Sequence, residues 1–173
     1  MDDSLTHLTC SGAAHMVDVG AKPATRRTAT AEAFVRCDAS LVQAIRESTL
    51  AKGDLLAVAR LAGIMAAKRV DELIPLCHTL PIEQASVDLV VDDDGVRIVA
   101  RVATTSKTGV EMEALSAATV AALTVIDMGK AIDKGMTIEN VRLVEKTGGT
   151  RGDYRAPSSS DLIHRPRRPL EGG

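Results

Sequence analysis

Five short segments of this chain concentrate residues that folding alone does not require. Leu76-Cys77-His78 directly follows Pro75. A His beside a Cys is a fragment of a metal site, but two ligands are too few and no matching pair stands elsewhere. A hydrogen-bonded loop His and a polar contact in a ligand pocket are the readings left open. The run TTSKTGVEME (104–113) sets Thr108, Lys107 and a flexible Gly109 just before a helix start that carries Glu111, Met112 and Glu113. Amides at a helix N-terminus point outward and favour anions. The GxxxxGK[ST] spacing of a P-loop is missing, and acidic residues suit an ordinary helix start equally well. Glu111 and Glu113, two apart, are expected on different sides of the helix.

Asp127 and Lys130 lie three apart in DMGK (127–130), on one helix face. A surface ion pair at that spacing is worth only ~0.3–0.5 kcal/mol. Asp127 also closes an apolar stretch, so partial burial is expected, and a buried lysine can serve as acid or base. Lys134, one turn on, could join them. In Lys52-Gly53-Asp54, Gly53 permits backbone angles that aim Lys52 into a cleft; a capped helix start with a solvated Lys is the plainer account. The stretch KTGGTRG (146–152) could cradle phosphate oxygens through its amides or simply connect to the tail. Together Lys52, His78, Lys107, Thr108, Lys130, Lys146 and Arg151 suit a phosphorylated small molecule and lysine-based acid–base work. They are expected to converge on one cleft.

Periodicity gives the elements that must position these groups. Ala29, Ala31, Ala33 and Val35 alternate within 26–37, a first strand. Asp38 or Ser40 caps a short helix ending at Glu47, and Gly53-Asp54 opens a longer one over 54–69. Pro75 stops any continuation. Residues 83–92 and 96–102 alternate on either side of Asp92-Asp93-Asp94-Gly95, a hairpin turn. A second long helix, 111–132, has an apolar face broad enough to suggest an oligomer. Residues 137–145 read as a last strand. Without the short helix the order is βαββαβ, an α+β ferredoxin-like plan: an antiparallel four-stranded sheet covered by helices on one face. Residues 1–15 are expected to be a mobile N-terminal arm, 16–155 a single catalytic domain, and 156–173 a disordered C-terminal tail.

Composition excludes several functions. Of 173 residues only Phe34 and Tyr154 are aromatic, so the core must be built from Ala, Val, Leu, Ile and Met. No aromatic platform can stack single-stranded nucleic acid. The net charge of -2 supplies no global field toward nucleic acid or anionic lipid. Cys10, Cys37 and Cys77 are odd in number and widely spaced, which suggests free thiols in a reducing compartment. The start MDDSLTHLTC lacks the basic-then-apolar plan of a signal peptide. No apolar run nears the ~18 residues of a membrane span. The expected place is the cytoplasm, with no nucleic-acid or membrane partner.

The segments that carry the candidate chemistry also resemble the molybdenum-cofactor biosynthesis protein C family, the cyclic pyranopterin monophosphate synthases. The matching stretches are Met16-Val17-Asp18-Val19, KGDLLAVARLAGIMAAKRVDELIPLCHTLP (52–81), TTSKTGVEMEALSAATVAALTVIDMGKAIDKGM (104–136) and VRLVEKTGG (141–149). ARLAGIMAAKR and KTGVEMEAL are the most specific. The resemblance implies a ferredoxin-like fold and a homohexamer, a trimer of dimers with active sites at the dimer interface. It implies a cyclised GTP substrate, 3′,8-cyclo-7,8-dihydroguanosine 5′-triphosphate, supplied by an upstream radical SAM GTP cyclase. It implies a lyase that releases cyclic pyranopterin monophosphate and pyrophosphate. By similarity Asp127, Lys130 and Lys52 are catalytic. Leu76, Cys77, His78, Met112, Glu113, Glu111, Thr108 and Lys146 contact substrate. No dedicated cofactor or metal site is expected, although Mg2+ could accompany the triphosphate, since no carboxylate cage is visible. A non-catalytic carrier or scaffold for a nucleotide intermediate is the alternative. Four positions depart from the family pattern: Thr79 for a frequent Pro, which implies a less rigid loop; Ser106 for a common Gly; and Thr150-Arg151 for a frequent Lys-Ser.

Overall fold

The alternation of Ala29, Ala31, Ala33 and Val35 with polar neighbours turns one face of strand β1 (Thr25–Arg36) into the core, where all four are buried. The computed structural model describes residues 13–149 and 152–157. After β1 come α1 (Ala39–Arg46), α2 (Leu55–Ala67), α3 (Val70–Leu73), β2 (Gln84–Asp92), β3 (Gly95–Ser106), α4 (Glu111–Gly129), β4 (Thr137–Thr147) and β5 (Tyr154–Arg155). Asp38 caps α1 by accepting the Leu41 amide at 2.8 Å, and Asp54 caps α2 by accepting that of Ala57 at 2.9 Å. Each cap satisfies an amide that the first helical turn leaves without a partner.

The strands form one antiparallel sheet in the order β2-β3-β1-β4-β5. β1 is central, paired with β3 on one side and β4 on the other. The fold is α+β and ferredoxin-like, with helices on one face. The structure differs from the sequence reading in several places, among them β3, which runs on to Ser106 rather than stopping at 102. The sheet has five strands rather than four, because the chain folds back after β4 and pairs Tyr154 with Lys146; Gly148, Gly149 and Gly152, all at positive φ, permit that reversal. α4 stops at Gly129, short of the expected residue 132, because the Ile132 and Asp133 amides turn back to the Gly129 carbonyl. The one-turn helix α3 had no periodic signal.

α4 packs on β1, β3 and β4 and lies beside α2, which itself packs on β2. Its Ala114, Ala117, Ala118, Ala121, Ala122 and Val125 are almost wholly buried. α2 crosses it at Gly63, where an added Cβ would stand 2.8 Å from the Ala117 carbonyl oxygen and 3.2 Å from the Ala121 methyl. A core without aromatic rings therefore fills by close approach of backbones. By length and composition alone α4 could cross a membrane, but here it is the central core helix. On the outer side of the helix layer Val58, Leu61 and Met65 of α2 and Leu123 of α4 remain exposed.

The other sheet face carries ion pairs. Arg36 reaches Asp94 at 2.7 Å and Glu139 at 2.9 Å, Arg142 reaches Glu32 at 2.6 Å, Arg101 reaches Asp88 at 2.5 Å, and Arg97 pairs with Asp92. Of the expected arm only residues 13–15 are described, and of the expected tail only 156–157; the rest of both lies outside the described residues.

The crossing at Gly63 yields a test. Gly63→Val should destabilise the fold by about 1–3 kcal/mol through overpacking against backbone, read as a lowered urea midpoint at unchanged slope.

Candidate functional site

A cleft of about 430 Å³ opens at the N-terminal end of α4. Three chain segments and the end of the sheet build it. Val17 and Val19 come from the stretch before β1, Leu76, Cys77 and His78 from the loop after α3, and Thr108, Glu111, Met112 and Glu113 from the start of α4. Lys146 and Thr147 at the end of β4, with Gly148 and Gly149 just beyond it, close the cleft. Leu76 takes a left-handed backbone, φ 67, rare for a branched side chain. His78 Nε2 lies 2.9 Å from the Val17 carbonyl oxygen. A carbonyl only accepts, so Nε2 carries a proton and Nδ1 is left as the other ring nitrogen. The stretch bearing Val17 is tied down again where Lys107 Nζ donates to the Gly20 carbonyl at 2.6 Å.

Glu111 and Glu113 both line this cleft, rather than opposite sides of the helix. The Glu111 carboxylate folds back against Gly109 and accepts from Lys146 Nζ at 2.8 Å. Glu113 is only 4% exposed, and burial pushes its carboxyl up to about 7, with the nearby Glu111 and Asp71 carboxylates adding to the rise. Burial also raises the Cys77 thiol, with Glu113 contributing. Thr79 donates to Asp71 Oδ2 at 2.5 Å, a bond that fixes the loop where rigidity from proline is missing. Ser106 ends β3 as an ordinary strand residue paired with Thr25. Thr150-Arg151 lies outside the described residues.

A second cluster stands at the other end of α4. Asp127, in its last turn, accepts from Lys130 Nζ at 2.7 Å through Oδ1 and from Lys52 Nζ at 3.2 Å through Oδ2. Lys52 also donates to the Asp127 carbonyl at 2.7 Å. The loop before α2 can deliver Lys52 because Gly53 sits at φ 90. Lys130 is held from behind: Asp133, almost buried, accepts the Asp38 amide at 2.9 Å and the Gly135 amide at 2.7 Å, fixing the turn after α4 against α1. The Lys130 and Lys52 ammoniums hold the Asp127 carboxyl below its usual range. The expected burial is absent: the Asp127, Lys130 and Lys52 side chains are 61%, 59% and 44% exposed. The helix ends before Lys134 reaches their face. Exposed pairs of this kind add little stability.

Within one chain the two clusters are distinct. Glu111 and Asp127 mark opposite ends of α4, which at ~1.5 Å per residue places them roughly 24 Å apart. The sequence reading of a single convergence is therefore not met inside one copy. The cleft also contains groups that reading did not assign to the site: Lys22, Arg27 and Thr28. Arg27 carried a legible signal, since it has the same strand parity as Ala29 and Ala31 and so faces inward.

A model of the MoaC family matches residues 16–149. The chain is 56% identical over 152 residues to the cyclic pyranopterin monophosphate synthase of Streptomyces avermitilis, covering 88% of this chain and 89% of that protein. It is 56% identical over 153 residues to the protein of the same name from Thermomicrobium roseum, covering 87% and 92%. It is 57% identical over 150 residues to the one from Corynebacterium efficiens, covering 87% and 97%.

Burial of Glu113 predicts a pH dependence. Its unfolded carboxyl titrates near ~4.3, so from there to about 7 the folded state holds a proton that the unfolded state has released. Stability from this group is thus greatest at acid pH and falls as pH rises toward 7. Glu113→Gln should remove that slope, gaining roughly 2–3 kcal/mol on the parent between pH 5 and pH 8. Urea unfolding at the two pH values reads it, and parallel losses in both proteins would contradict it.

Proposed function

The chain belongs to the MoaC family, and on that premise we propose that it is a cyclic pyranopterin monophosphate synthase. It converts 3′,8-cyclo-7,8-dihydroguanosine 5′-triphosphate to cyclic pyranopterin monophosphate and pyrophosphate in molybdenum-cofactor biosynthesis, as a phosphorus–oxygen lyase. The observation that carries the reading is the close likeness along nearly the whole chain to proteins bearing that name, with every candidate site residue but Arg151 inside residues 16–149.

In this reading the cleft binds and the lysine cluster transfers protons. Leu76, Cys77, His78, Thr108, Glu111, Met112, Glu113 and Lys146 surround the substrate. Lys52, Asp127 and Lys130 supply acid–base chemistry. Opening and reclosing the purine ring needs staged proton transfers, for which an ammonium and a neighbouring carboxylate are suited donor and acceptor. Formation of the cyclic phosphate makes one phosphorus–oxygen bond and breaks another, and the leaving pyrophosphate takes the electron pair. Cations lining the cleft offset the charge that develops on it.

One small substrate cannot touch both ends of α4. The complete site is therefore read as shared, with the cleft of one copy facing the Lys52–Asp127–Lys130 cluster of another. The apolar Val58, Leu61, Met65 and Leu123, exposed on a single chain, favour burial between copies. The assembly proposed is a homohexamer, a trimer of dimers, acting in the cytoplasm downstream of a radical SAM GTP cyclase. No dedicated cofactor enters the reading; any Mg2+ would arrive with the triphosphate.

Lys52→Ala and Lys130→Ala should each lower pyrophosphate release from the cyclised nucleotide by at least ~10²-fold, with oligomer mass unchanged. Normal turnover by both would remove them from the chemistry. Co-expression of His78→Ala with Lys130→Ala chains should restore part of the activity each lacks alone. No restoration would mean that the site is complete within one copy.

A further inference from the structure

Resting on the reading above, we propose that Asp133 is a positioning residue for the Lys52–Asp127–Lys130 cluster: it fastens the turn that carries Lys130 to α1, the helix from whose other end the Lys52 loop departs. The cluster does not hold itself. All three of its side chains are well exposed. Ion pairs in that setting contribute too little to fix two long lysines against their own rotamer entropy. Proton transfer, in contrast, depends steeply on how closely the exchanging groups are placed. The backbone on either side must therefore supply the geometry, and both sides lead to α1.

At the start of α1 the Asp38 amide donates to Asp133 Oδ2 at 2.9 Å, while Asp133 Oδ1 accepts the Gly135 amide at 2.7 Å. Leu41, in the first turn of α1, packs on Gly129 so closely that a Cβ there would stand 2.7 Å from a Leu41 methyl carbon. Lys130 thus sits between two residues anchored on α1, Gly129 and Asp133. The Ile132 and Asp133 amides close the turn on the Gly129 carbonyl at 2.9 and 3.2 Å. At the far end of α1 the Ser48 amide donates to the Ile45 carbonyl at 3.2 Å and the Thr49 amide to the Ala44 carbonyl at 3.0 Å, which ties the chain to the helix shortly before Lys52. Leu41, Val42 and Ile45 bury α1 in the core, so the platform is fixed. Asp133 is itself only 8% exposed, and each of its oxygens faces one amide donor. A carboxylate alone offers two acceptors in that span. Asn would turn its NH2 group toward one of the amides and leave two buried donors opposed.

The test uses the full chain, the variants Asp133→Asn and Asp133→Glu, and Val87→Ala as a control that loosens the core at the edge strand β2. Rates are taken well below each melting temperature. Asp133→Asn should lose roughly 10–100-fold in kcat for the cyclised nucleotide, with KM within about 3-fold of the parent, because the binding cleft is untouched. Val87→Ala should melt lower and keep the parent kcat. A parental kcat in Asp133→Asn, a loss carried by KM alone, or an equal kcat loss in Val87→Ala would overturn the positioning role. Should Asp133→Asn fail to fold, Asp133→Glu decides: it keeps both oxygens but displaces the turn by one methylene, and a parental kcat there overturns the proposal. A readout that needs no turnover is amine labelling with acetic anhydride, followed by mass spectrometry. Lys130 should react roughly 2–5-fold faster in the folded variant than in the parent as its pairing with Asp127 loosens, with Lys68 unchanged; equal Lys130 rates count against the role. If the parent fails to convert the cyclised nucleotide while Lys130 labelling still depends on Asp133, the enzymatic reading falls and the positioning role stands.

Discussion

The close approach of α4 to its neighbours is the constraint on which the rest depends. Small side chains let the helix sit near the sheet through Ala29, Ala31 and Ala33 of β1, and near α2 through Gly63 against Ala117 and Ala121. Interiors pack at crystal-like density, so such a contact tolerates little shift. α4 becomes a rod clamped on two sides. Its first turn presents Glu111, Met112 and Glu113 to the cleft, and its last turn presents Asp127 with Lys130 just beyond. The separation of the two clusters is therefore fixed by helix length rather than by loop conformation.

The two ends handle charge in opposite ways. At the C-terminal end three ionic groups stay in contact with water, and Asp127 keeps its charge between two ammoniums. Such groups cost little to hold. At the N-terminal end burial sets the electrostatics: Glu113 is pushed toward neutrality while Lys146 stays paired with Glu111. Low local dielectric there strengthens interaction with any ligand charge.

Much of this fold was legible in the sequence, because its signals are local. The strict alternation of β1, the Asp38 and Asp54 caps and the Asp-Asp-Asp-Gly turn each act within a few residues. Where the reading went astray, the deciding contact was distant or weakly patterned. α4 was drawn past Gly129 because Ala131 and Ile132 continue the apolar pattern, while the turn that ends it is secured by Asp133 on the Asp38 amide. β5 has two residues, too few for a period. The candidate groups were found by type and by resemblance, but their division into two clusters needed the register of the sheet and the length of one helix. Arg27 was passed over as part of a basic strand start, although its parity set it among buried alanines.

The central place of β1 bears on how the chain is made. β1 ends at Arg36, yet one of its partners begins at Gly95 and the other at Thr137. At roughly 5–20 residues per second of synthesis, the second partner emerges about 5–20 s after β1 is complete. The strand destined for the middle of the sheet keeps both edges open until β3 emerges, and one edge open until β4 follows. Its alternation of Ala with Thr and Glu makes it a poor template for sticking to other nascent chains. The composition that lets α4 press close in the finished molecule also keeps the earliest strand inert while it waits on the ribosome.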